Sequence, residues 1–319
     1  MSAILGAVTQ LLHAALMLAA APLLVVAIRT LKARLLGRTG PSVLQPWRDI
    51  LRLLRKQPVL AENASWLFRG APVACFAAIL AAAVMVPSFA LGMTSAPLSD
   101  LLAIIGLLSL ARCITALAGM DIGTAFGGIG ASREMSYAVF AEPAMLLIIF
   151  TLALLVGTTN LDMIAGSLRD GSYGLRVSMG LALIAIIAVA IAENGRIPID
   201  NPATHLELTM VHEAMVLEYS GRHLALIELG VALKLLVWMT LIATIFAPYG
   251  AAPAGASPLF WLLGLATWVA KVGVLATALG LFETAIAKMR VFRVPDFLRV
   301  ALLLGLLAAV FLFVSQGFA

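Results

Sequence analysis

The chain has 319 residues, of which 62% are hydrophobic and only 12% charged, with a mean hydropathy of +1.06. That balance excludes a soluble globular fold and points to an all-α polytopic membrane protein, a single membrane domain over residues 1–319. The formal net charge of +5 sits beside apolar runs, which marks it as a topology signal and speaks against nucleic acid as a partner.

In chain order, eight apolar runs are long enough to cross a bilayer, which takes about 20 residues each. They are Ala3–Ile28, Ala71–Leu91, Leu98–Ala118, Ser136–Gly157, Leu175–Ala192, Leu224–Phe246, Pro258–Leu281 and Phe297–Val314. Each is expected to be a helix, because lipid offers the backbone no hydrogen-bond partner. The first run, 26 residues, is too long for a signal h-region and no small-residue cleavage site follows it, so it is expected to remain as a helix. Nothing in the chain suggests the internal repeat of a secondary transporter. Cys75 and Cys113 lie inside apolar runs and show no metal-ligand spacing, so no metal or other cofactor is expected in this chain.

The loops after runs 1, 3, 5 and 7 span residues 29–70, 119–135, 193–223 and 282–296, and hold 15 of the 21 Lys and Arg. The opposite loops hold Arg169 and Arg176, while Arg112, Lys234, Lys271 and Arg299 fall within runs. The positive-inside rule then puts the odd loops in the cytoplasm and both termini outside. In the first loop, Gln45 to Gln57 sets Trp47, Ile50, Leu51 and Leu54 on one helical side and Arg48, Arg52, Arg55 and Lys56 over the other. This is an amphipathic helix, serving either as a lipid-surface anchor or as a docking surface for a cytoplasmic partner.

The loop between runs 5 and 6 is the most unusual part of the chain. Glu193, Asp200, Glu207, Glu213 and Glu218 share it with His205, His212 and His223. Pro198 and Pro202 imply an irregular turn over residues 195–202, after which helical periodicity resumes from Ala203 to Tyr219. On that short helix Glu207 and Glu218 stack within about 20°, and so do His205 and His212, the two stripes lying roughly 140° apart. Two histidines seven residues apart rise about 10 Å along a helix, too far to hold one metal. Val216 stands where a second His would complete HExxH. The acids remain, and carboxylates at membrane depth can take up and release protons. Glu142, Glu228, Lys234, Lys271 and Glu283 lie in or at the ends of other runs. Glu228 and Lys234 are about 240° apart on one helix, so each needs a partner from elsewhere. The alternatives are a polar path into the bilayer and a purely structural ion-pair network.

These segments together resemble the complex I subunit 1 family, the membrane subunit next to the peripheral arm of respiratory complex I and of energy-converting membrane-bound NiFe hydrogenases. The likeness rests on Arg34, Arg38, Gly40-Pro41, Leu44-Gln45-Pro46, Asp49 and Leu53-Leu54-Arg55-Lys56 in the first loop, and on Gly130-Ala131-Ser132-Arg133 with Ser136-Tyr137 after run 3. It continues through Glu193, Arg196, Pro198, Asp200, Pro202, Glu207-Leu208 and Glu218-Tyr219-Ser220. Several departures resemble the hydrogenase branch of the formate hydrogenlyase type. Two acids of the complex I pattern are missing between Pro202 and Glu207, and three extra residues precede Glu218. Ala138 replaces the acid after Ser-Tyr, with Glu142 one turn on, and residues 283–295 lack the complex I Trp-Arg…Pro-Arg pattern.

The resemblance implies a non-catalytic membrane anchor and coupling subunit of a hydrogenase complex in the prokaryotic inner membrane. The nickel–iron centre and iron–sulfur clusters would lie in its partners, the hydrogenase large and small subunits, with antiporter-like membrane subunits alongside. Proton-relay candidates are Glu142, Glu193, Glu207, Glu213, Glu218, Glu228, Lys234, Lys271 and Glu283. Docking candidates are Arg34, Arg38, Gln45, Arg48, Asp49, Arg52, Arg133, Arg196 and Asp200. A quinone-chamber subunit of complex I and a stand-alone ion transporter are the alternatives.

Overall fold

A computed structural model describes residues 3–171, 176–200 and 210–317. Among these residues there are eleven α-helices and no strand, only two isolated bridges, Ala90 with Ala252 and Asp100 with Asn160. Seven helices are long and apolar enough to span a membrane: α1 (Ala3–Leu35), α3 (Trp66–Met85), α4 (Leu101–Asp121), α5 (Ala125–Val156), α9 (Gly221–Phe246), α10 (Pro258–Ala285) and α11 (Val294–Gly317). The eighth expected span is α7 (Val177–Glu193), whose 17 residues reach about 25 Å at helix rise. Three short helices complete the set: α2 (Gln45–Leu54), α6 (Leu161–Arg169) and α8 (His212–Val216).

The helices outrun the apolar stretches that announce them. α1 continues seven residues past Ile28, and α5 begins eleven residues before Ser136. Hydropathy marks where lipid ends, whereas Arg29, Lys32 and Arg34 are good helix formers that carry the helix beyond it. α3 stops at Met85, short of Leu91, because Pro87 forces Val86 into extended backbone at the C-cap. Side chains fix the starts: Asp100 accepts hydrogen bonds from the amides of Leu102 and Ala103, and Thr124 accepts one from Gly127.

α9 is the axis of the bundle, with 83% of its apolar window buried by protein, against 22% in α10 and 28% in α11. α3 and α1 pack against it, α4 joins α3 to α5, and α11 lies on α5 and α7. A polar residue on α9 therefore has to find its partner inside the protein. Two glycines let α8 approach closely. A Cβ on Gly130 would stand 2.8 Å from the Val211 carbonyl oxygen, and one on Gly119 would stand 3.0 Å from the Met215 Cβ. The expected helix from Ala203 to Tyr219 is realised as α8 alone among the described residues, since positions 201–209 lie outside them. Likewise the amphipathic helix ends at Leu54 instead of Gln57, and it rests against α9 and α1 with Ile50 buried.

Candidate functional site

α7 ends inside the bundle, and its last residue is an acid. A carboxylate at a helix C-terminus opposes the helix dipole, so Glu193 needs cations, and two neighbouring helices provide them. Arg112 of α4 donates from Nη1 to Glu193 Oε1, and Lys234 of α9 donates from Nζ to Glu193 Oε2 at 2.9 Å. Arg112 donates its other terminal nitrogen to Glu142 Oε1 on α5. The result is a charge-balanced chain, Glu142–Arg112–Glu193–Lys234, linking four helices. Arg112 and Lys234 are buried, with side chains 3% and 8% exposed. At such burial each charge depends on the others, because an unpaired ion there is costly.

Two cavities flank this chain. One has room for a single water and is lined by Glu134, Tyr137, Glu193, Asp200 and His212. The other, of about 40 Å³, lies between α3, α4 and α9 and is lined in part by Cys75, Arg112, Thr115, His212 and Lys234. His212 lines both. Burial and the Lys234 ammonium push its imidazole down to about 4, so it is neutral at physiological pH. Glu134 is buried on α5, and no cation lies within ion-pair distance of it among the described residues. The Tyr137 hydroxyl beside it has no hydrogen-bond partner there either.

Nearer the basic end, two more ion pairs fasten the loop after α7. Lys288 reaches Asp200 at 3.1 Å, and Asp200 also accepts the Val211 amide at 3.1 Å. Glu283 is shared by Lys32 at 2.8 Å and Arg196 at 3.6 Å. Burial lowers the affinity of the Arg196 guanidinium for its proton.

The structure thus divides the residues singled out from the sequence. Glu193, Lys234 and Glu283 are drawn into buried ion pairs, and Glu142 pairs with the buried Arg112 from a half-exposed position. Glu213 lies on α8 and is half-buried. Glu218 stands exposed beyond the end of α8, and Glu228 is exposed on α9. Lys271 is half-buried on α10, with no ion pair among the described residues. Glu207 and His205 lie outside those residues. Of the docking set, Arg34, Arg38, Arg48 and Arg52 are exposed, and Gln45 donates to Asp49 at 2.9 Å. Asp200 is buried and paired with Lys288, and with Arg196 it ties down the loop. Arg133 is likewise taken up internally, donating to the Met210 carbonyl at 3.0 Å. Sequence reasoning had no role for Arg112, Glu134 or Tyr137. The signal was available, for Arg112 is a charge inside an apolar run.

Among the described residues no group of three or more His, Cys, Asp or Glu could hold a metal ion. Cys75 instead donates its thiol to the Ala111 carbonyl at 3.3 Å.

A helical bundle held by buried ion pairs, bordered on its basic side by loops tied together by ion pairs, defines a multi-pass membrane protein. The chain belongs to the NADH dehydrogenase subunit 1 family, whose model, described as NADH dehydrogenase, matches residues 7–314. It is 34% identical over 286 residues to formate hydrogenlyase subunit 4 of Escherichia coli (strain K12), covering 89% of this chain and 92% of the relative. Hydrogenase-4 component C of the same organism is 35% identical over 242 residues, 76% of each chain. NADH-ubiquinone oxidoreductase chain 1 of Triticum aestivum is 33% identical over 65% of this chain and 64% of its own. In three dimensions the fold is shared with a chain of the membrane-bound sulfane sulfur reductase, an archaeal respiratory membrane complex. The TM-score is 0.79 at 20% identity, over 95% of this chain and 99% of that one.

Proposed function

We propose that this chain is the membrane anchor and coupling subunit of a membrane-bound NiFe hydrogenase complex, and that it links redox chemistry in its partners to proton translocation. The observation that carries the reading is the buried chain Arg112–Glu193–Lys234, extended by the half-exposed Glu142, in a protein whose hydrogenase relatives align along most of its length. Protons enter from the basic side past Asp200 and His212, and Glu134 holds them, while the paired Glu193 lining the same small cavity fixes the charge around it. A buried carboxyl without a cation of its own, as Glu134 is, suits the role of temporary acceptor. Electron transfer belongs to the nickel–iron centre and iron–sulfur clusters of the hydrogenase subunits. Those subunits dock on the exposed Arg34, Arg38, Arg48 and Arg52. The basic side is cytoplasmic and both termini lie outside, in the inner membrane of a prokaryote.

The test compares Glu193→Gln and Glu134→Gln in membrane vesicles, following hydrogen evolution together with proton uptake. Both variants are expected to keep nickel in the purified complex and to lose at least about tenfold in coupled proton transfer, the range of a displaced positioned proton carrier. Glu134→Gln leaves every ion pair of the chain intact, so its result is free of any folding defect caused by an unpaired Lys234. Unchanged coupling in Glu134→Gln and Glu193→Gln would sink the relay. A complex I role is less favoured; the wheat relative supports it, and it requires inhibition by quinone-site ligands and no nickel in the purified complex.

A further inference from the structure

Away from the ionic chain, α7 and α10 both rest on α9, yet their other neighbours differ. α7 packs on α5 and α11, and α10 packs on α1. The cleft left between them, floored by α9, has a volume of about 190 Å³. An apolar cavity of about 150 Å³ already admits benzene. Its walls are almost wholly apolar, formed by residues such as Ile187, Ile191, Leu235, Ala278 and Leu279.

Two polar groups in this lining lack hydrogen-bond partners among the described residues. Trp238, only 2% exposed, has an unmatched indole Nε1–H, and Asn194 has an unmatched buried Oδ1. A buried donor without an acceptor is unfavourable unless something fills the site. At the basic-side end of the same cleft stands Arg196. Its share of Glu283 is a long 3.6 Å, because Lys32 holds the other carboxylate oxygen at 2.8 Å. Arg29 adds a further positive charge to the electrostatic field at Arg196 and at Glu228. Arg29, Lys32 and Arg196 against Glu283 and Glu228 leave one positive charge unmatched.

We infer that the cleft is a binding site for one anionic phospholipid. An acyl chain lies between α7 and α10 on α9 against Trp238, and the phosphodiester, with its single negative charge, faces Arg196. Basic pockets between membrane helices on the positive side are suited to such headgroups. The lipid would brace the loop from Asn194 to Asp200 immediately after Glu193, independently of what the complex reduces.

The full-length chain in its native assembly is reconstituted into nanodiscs doped with brominated phosphatidylglycerol or brominated phosphatidylcholine. Trp238 emission is read as the difference from Trp238→Phe, and bromine on a bound acyl chain quenches it. Brominated phosphatidylglycerol is expected to quench at about fivefold lower lipid fraction than brominated phosphatidylcholine, the ratio that about 1 kcal/mol for one charge gives. Ala278→Phe, which places a ring in the cleft from an exposed wall position, removes the quenching. Absent quenching in the unsubstituted protein, equal quenching by both lipids, or quenching that survives Ala278→Phe each overturns the assignment.

Discussion

The two ends of the bundle are held together by different chemistry. On the basic side, charge is buried: Glu193, Arg112, Lys234, Asp200, Lys288, Glu283, Lys32 and Arg196 tie five helices and two loops through ion pairs. At the opposite end, neutral and capping hydrogen bonds do the same work. His13 joins Ser88 at 2.8 Å and the Ala83 carbonyl at 3.1 Å, and Ser99 donates to the Met85 carbonyl at 2.6 Å. Asn160 donates to the Ala96 carbonyl at 2.8 Å, and Asp162 accepts from the Gly92 amide at 2.9 Å. No ion pair between helices occurs at that end among the described residues. Hydrogen bonds of the second kind close a structure and leave it closed. At the basic end a buried carboxyl with no ion pair among the described residues, Glu134, sits beside the paired charges, so one group there can change its charge while the pairs hold the helices.

The sharpest way to break this contrast is to remove the cation shared by two acids. Arg112→Met leaves Glu142 unpaired and Glu193 with Lys234 alone, so a loss of about 3–5 kcal/mol is expected, the usual cost of breaking a buried pair from one side. Ser99→Ala at the other end removes one hydrogen bond and should cost about 1 kcal/mol. Denaturant unfolding of the purified protein in detergent measures both. Equal losses would mean that the ionic chain is no more than another set of struts.

How much of this was legible in the sequence depends on the range of the interaction. Apolar runs announce eight helices, seven of them long enough to span and α7 shorter, because the bilayer imposes length and apolarity locally. The amphipathic pattern from Gln45 likewise became α2. Pairings were another matter. Glu228 and Lys234 were correctly held apart by their helical angle, but that Lys234 meets Glu193, 41 residues earlier, depends on where α7 ends and how α9 packs. The stripe drawn through Glu207 and Glu218 assumed a helix to Tyr219, and in the structure that helix has already ended when Glu218 is reached. Arg112 escaped notice as a functional residue because its partners lie 30 and 81 residues away, beyond any spacing rule.

His212 gives a prediction of similar size that depends on pH. In the fold it is held neutral, down to about 4, whereas in an unfolded chain it titrates near 6.5. A group with a depressed value contributes stability that is complete above the unfolded value and is lost as pH falls toward the folded one. Stability should therefore decline between about pH 6.5 and 4, by up to about 3 kcal/mol. In His212→Gln this part of the profile is flat. An unchanged slope in the variant would show that His212 is not buried against Lys234 as described, and the link between the two cavities would go with it.

Asp162 is the mirror test at the opposite end, and the smallest effect. It lies on α6, where burial holds its carboxyl above the usual aspartate range despite the Gly92 amide. For an acid raised in this way the contribution is present below the unfolded value and lost as pH rises through the folded one, the reverse of His212. At neutral pH the charged form is thus a modest burden, offset by the amide that both carboxylate oxygens share at 2.9 and 3.2 Å. Asp162→Asn keeps one acceptor for that amide and removes the charge. Stability at pH 7 should then change by no more than about 1 kcal/mol in either direction, the acid-side slope should vanish, and proton coupling should be untouched. Loss of coupling in Asp162→Asn would mean that the path from the basic side runs on to this end, and that the capping hydrogen bonds there do more than close the bundle.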